Sequence, residues 1–222
     1  MQLGGLTGGI YRLCDWIMKF AYVNLLWLLF TIVGLGLFGI VPATASLFSV
    51  VRKWVMGETD VPVFKTFWKN YRTYFIKVNI MGLIYFIIGL VLYFDIAFFR
   101  HHTGTGATVL LVVLLMITVL YLITLMYFFP TFAHFDLSYG RYFKYTLLFG
   151  ISSPVSTFIM VAGIVANYFL MNLIPGLLPF FGISGMSFVI MWAAYRTFTK
   201  IEQRKEAYRQ KSTNTLKDTT ES

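Results

Sequence analysis

Residues 145–195 contain no Asp, Glu, Lys or Arg, and shorter uncharged runs of the same apolar character fill most of the chain before them. Such a chain belongs in a lipid bilayer. A hydrocarbon core of ~30 Å takes about 20 helical residues at ~1.5 Å each, so this run predicts two spans rather than one. Composition agrees: 58% of residues are hydrophobic, 19% aromatic and only 12% charged, where soluble domains carry roughly 25% charged residues. The expected fold class is all-α, a polytopic helical membrane protein with no separate soluble domain.

Spans are expected near residues 20–41, 78–98, 107–129, 146–171 and 176–195. The first run is long enough to span and leads into Pro42, so it reads as an uncleaved helix rather than a secretory signal. The last two are divided by Asn172, Pro175, Gly176 and Pro179, which predicts a tight hairpin with an uncharged tip. With five spans, fifteen of the eighteen Lys and Arg residues fall on one side, leaving only Arg12, Lys19 and Arg100 on the other. The positive-inside rule then predicts the N-terminus outside and the C-terminus in the cytoplasm. The net charge of +9 reads as a topology signal and an attraction to anionic headgroups, with little to favour nucleic acid as a partner.

Residues 1–19 are expected as an interfacial amphipathic segment, because Ile10, Leu13, Cys14, Ile17, Ala21 and Asn24 share a stripe that Arg12, Asp15 and Lys19 avoid. The five-helix domain covers residues 20–196 and includes a cytoplasmic helical hairpin, residues 42–77. A basic tail, residues 197–222, is expected to be disordered after about Lys211. Gly4, Gly5, Gly8 and Gly9 follow no strand and precede no Lys-Ser or Lys-Thr, so they read as a flexible start and not a phosphate loop.

The richest segment is that hairpin. Pro42 suits the first turn of a new or kinked helix and Gly57 its end, with Arg52, Lys53 and Trp54 carried between them. After Pro62, the residues Phe64, Phe67, Trp68, Tyr71, Phe75 and Val78 share one helical face, and Lys65, Lys69 and Arg72 share the other. Two readings stand: rings in the headgroup zone with cations on lipid phosphate, or a docking surface for a protein partner. Pro42–Ala45 (PATA) and Pro130–Ala133 (PTFA) also match, as a parallel repeat or as a chance of aromatic-rich sequence.

The segments FGIVPATASLFSVVRKW (residues 38–54), GETDVPVFKTFWKNYRTYF (residues 57–75) and FFPTFAHFDLSYGRYFKYTLLFGISSP (residues 128–154) resemble the YesL family of small bacterial membrane proteins. The resemblance covers nearly the whole chain. It implies a bacterial plasma membrane and an accessory role in carbohydrate uptake, beside oligosaccharide ABC importers, and it implies no catalytic residues. With no Walker A loop and no Glu-Ala-Ala coupling segment, the chain is not expected to be such an importer by itself.

Candidate chemistry is thin. His101 and His102 are adjacent and point apart on a helix, and His134 is expected on the opposite membrane face, so no zinc site is expected. His134 and Asp136 admit a proton-shuttle reading, but two residues apart they do not face each other on a helix, which favours an interfacial structural role. Cys14 is the only cysteine. No carboxylate sits at mid-span; Asp95 lies near the outer end of the second span, beside Arg100. The expectation is a non-enzymatic accessory or scaffold without cofactor or metal, supporting carbohydrate import through permease subunits. The alternative is a small transporter or channel for a neutral solute. The contact residues expected for lipid or partner are Arg52, Lys53, Trp54, Lys65, Lys69 and Arg72.

Overall fold

A computed structural model describes residues 6–102 and 104–220, and among these there is no strand. Seven helices follow one another: α1 (Leu6–Val33), α2 (Leu37–Val55), α3 (Val63–Arg100), α4 (Thr105–His134), α5 (Tyr139–Ser152), α6 (Pro154–Leu173) and α7 (Leu178–Thr220), with a 3-10 turn at Pro175–Leu177 before the last. Five segments are long and apolar enough to cross a membrane: Gly8–Val33, Val63–Arg100, Thr105–His134, Pro154–Leu173 and Pro175–Lys211.

Five is the expected number, but the first span is displaced. The apolar run at residues 20–41 is cut at residues 34–36, where Leu35 and Gly36 take positive φ and Gly36 N–H closes on Thr31 O. A left-handed pair ends the helix whatever the hydropathy of its neighbours. The span instead reaches back through the segment expected to be a separate interfacial helix, since Asp15 and Lys19 pair at 2.7 Å inside α1. The run at residues 146–171 is likewise broken, at Ser153, where Pro154 opens α6. The tail is helical to Thr220 rather than losing structure after Lys211; no Gly or Pro follows Gly185 to stop it.

Helix α2 is the enclosed element: eleven of its 19 residues are buried. It runs back along α1, with Trp27 donating to Thr44 Oγ1 at 2.9 Å and Trp54 packing on Trp16. It also lies across the base of the α3–α4 hairpin. Its first half meets α3 at Asn79 and Gly82, and its second half meets α4 at Phe129 and His134. Pro42 is the sixth residue of α2 and not at its start, so Phe38 O lacks the usual N–H partner; Asn79 Nδ2 supplies one at 3.0 Å.

Helix α7 packs antiparallel to α1, since Asn24 meets Ile183 and Ser184 while Trp16 and Phe20 meet Phe188. Asn167 of α6, partly buried, donates to Gly182 O, so α7 is held from both sides by side-chain amides. Helices α3 and α4 meet where Tyr121 Oη donates to Tyr85 O, and no residue in the most apolar window of α4 is buried. The two proline motifs occupy unlike places, one inside α2 and one near the end of α4, so they do not mark equivalent units of a repeat.

Candidate functional site

Pro62, in an extended conformation, opens α3, and Thr66 N–H closes the first turn on Pro62 O. One face of this turn is driven inward by burial of aromatic carbon. Phe67 and Tyr71 are buried against Phe30 of α1, with ring centroids 5.2 and 5.0 Å away, and Tyr71 Oη donates to Phe30 O at 3.0 Å. Lys65, Lys69 and Arg72 occupy the exposed face, and no ion pair reaches them among the described residues. Phe64 and Trp68 stand between the two faces, 50% and 43% exposed. The aromatic row expected on one face therefore splits: Phe67, Tyr71 and Val78 enter the core, while Phe64 and Trp68 border the cations.

The three candidates on α2 do not join this surface. Trp54 is 3% exposed, its ring 5.7 Å from both Trp16 and Phe20, because the apolar corner of α1, α2 and α7 draws it in. Arg52 Nε donates to His134 Nδ1 at 3.0 Å, and Lys53 sits 3.5 Å from Glu58. The structure thus keeps Lys65, Lys69 and Arg72 as an outward set, while Arg52 and Lys53 are engaged within the chain.

His134 and Asp136 diverge to different partners. The imidazole lies among Phe135, Tyr195 and Phe198, and as acceptor from Arg52 at Nδ1 it is neutral in this arrangement. Asp136 accepts from Lys77 at 2.7 Å, and this bond holds its carboxyl below the usual carboxylate range. Tyr142 completes the corner: its hydroxyl donates to Phe135 O and accepts from Leu137 N–H, with Lys77 Nζ 5.4 Å from its ring. Sequence reasoning missed this junction, because Lys77 and Asp136 are far apart in the chain and no local spacing links them. No group of three or more His, Cys, Asp or Glu suited to a metal occurs among the described residues, and Asp95 makes no ion pair with Arg100.

The uncharacterized protein YteU of Bacillus subtilis (strain 168) is 40% identical over 203 residues, 91% of each chain, and the family described as protein of unknown function DUF624 matches residues 20–96. The chain belongs to the DUF624 family. The uncharacterized proteins YesV and YesL of the same organism are 38% and 32% identical, over 88% and 93% of this chain and 94% and 97% of their own. No solved structure matches. The matched DUF624 segment runs from within α1 through α2 and most of α3, so it holds the glycine corner, the enclosed helix and the cationic face together.

Proposed function

We propose that this DUF624 protein is a non-enzymatic accessory or scaffold of the bacterial plasma membrane, and that the cationic face of α3 docks permease subunits of an oligosaccharide ABC importer. The observation that carries the reading is the combination at Lys65, Lys69 and Arg72: exposed, without an ion-pair partner among the described residues, and beside the half-exposed rings of Phe64 and Trp68. Aromatic side chains and Arg, here Trp68 and Arg72, are enriched at binding hot spots, and a helix already fixed by Phe67 and Tyr71 loses little further freedom on docking. The excess of Lys and Arg around this face supports a cytoplasmic position for it.

Anionic headgroups suit the same cations, so the test separates the two occupants. Reversal of all three charges (Lys65→Glu, Lys69→Glu, Arg72→Glu) is expected to remove the permease from the protein purified in mild detergent while membrane insertion stays unchanged. Permease recovered undiminished with the reversed face refutes the docking proposal.

A further inference from the structure

Helices α1 and α6 each pack on α7, and the space between them is not closed by direct packing. Two hollows occupy it, of about 450 and about 420 Å³, and they meet at Asn167 and Met171 of α6. The first is walled by Ile17, Phe20 and Phe181, the second by Trp27, Leu28 and Ile183. From the end of the 3-10 turn along α7 the lining runs over residues 177–186, about 14 Å at ~1.5 Å per residue, beginning at the uncharged tip between α6 and α7.

The main polar groups here turn toward α7. Asn24 uses both ends of its amide on α7, and Asn167 donates to Gly182 O. Apart from Asn167 Oδ1 and Tyr168, what remains toward the opening is carbon, and all three walls lie in segments apolar enough to span a membrane. A depth of 14 Å is about half of a ~30 Å hydrocarbon core, the depth of one leaflet. The geometry points to a resident phospholipid acyl chain, lying in this groove from the tip of the α6–α7 hairpin inward. It is distinct from the lipid that merely borders the protein, because the chain has walls on three sides; the bare outer face of α4 offers one. This inference does not rest on the docking reading.

The test is a phospholipid carrying a diazirine in its acyl chain, incorporated with the full-length protein in nanodiscs, photolysed, and mapped by mass spectrometry. Labelling of Ile17, Leu170, Met171 and Phe181 is expected several-fold above that of Leu110, Leu115 and Leu122 on α4. Two filling variants at the partly exposed rim, Ile164→Trp and Leu170→Trp, should each bring groove labelling down to the α4 level while labelling of α4 itself is unchanged. Each variant's melting temperature in detergent, compared with the parent's, reports whether it has folded. Groove labelling no stronger than that of α4 in the unaltered protein, or unaffected by both tryptophans, overturns the inference.

Discussion

Asn24 Nδ2 donates to Pro179 O at 2.7 Å, and its Oδ1 accepts from the N–H groups of Ile183 and Ser184 at 3.1 and 2.9 Å. These bonds are buried where no water can replace them, so Asn24→Ala is expected to cost about 1–3 kcal/mol. Asn172→Ala, which removes only an exposed bond to Tyr168 O one turn earlier, should stay within roughly 0.5 kcal/mol of the parent. Unfolding in a detergent series measures both, and equal effects would contradict the role given to Asn24. Pro42 and Asn79 form a second pair that can be dissected. Asn79→Ala should cost about 1 kcal/mol by leaving Phe38 O without a donor, and much less in a Pro42→Ala background, where residue 42 regains an N–H for that carbonyl. A double-mutant cycle with no coupling would show that the carbonyl finds another partner.

At the scale of elements, the α1–α2 corner depends on glycine. A Cβ on Gly39 would meet Thr31 O and lie 2.8 Å from Phe30 O, both backbone atoms that cannot move without opening the corner. Gly39→Ala is therefore expected to lower the folded yield, whereas Gly106→Ala, in open space within α4, should stabilise by roughly 0.5–1 kcal/mol. The α3, α4 and α5 junction gives a pH prediction. Because Lys77 lowers the Asp136 pKa, the bond stabilises the fold above the ordinary carboxylate range and loses its effect as pH falls through the folded value. The melting temperatures of parent and Asp136→Asn should differ at neutral pH and converge as pH falls through the folded value of Asp136; a constant difference would contradict this. Helix type and number of spans were legible because hydropathy acts locally, and so was the outward set Lys65, Lys69 and Arg72. The break at residues 34–36 was not, since a left-handed turn inside an apolar run adds no charge to mark it. Nor was the burial of Trp54, which depends on α1 and α7 arriving from distant parts of the chain.

For the whole molecule, the arrangement divides labour between an enclosed α2, contacted by α1, α3, α4 and α7, and two exposed regions: the lipid-facing α3–α4 hairpin and the cationic start of α3. A multi-pass protein with this division has a buried centre and an exposed cationic surface, and that surface is where the scaffold proposal stands or falls. The most direct test places a photocrosslinking benzoyl-phenylalanine at position 68, beside Lys65, Lys69 and Arg72, and irradiates living cells. The account predicts a discrete adduct containing an ABC permease subunit, lost when the three cations are reversed. Adducts to lipid alone, with the protein inserted at its normal level, would contradict it.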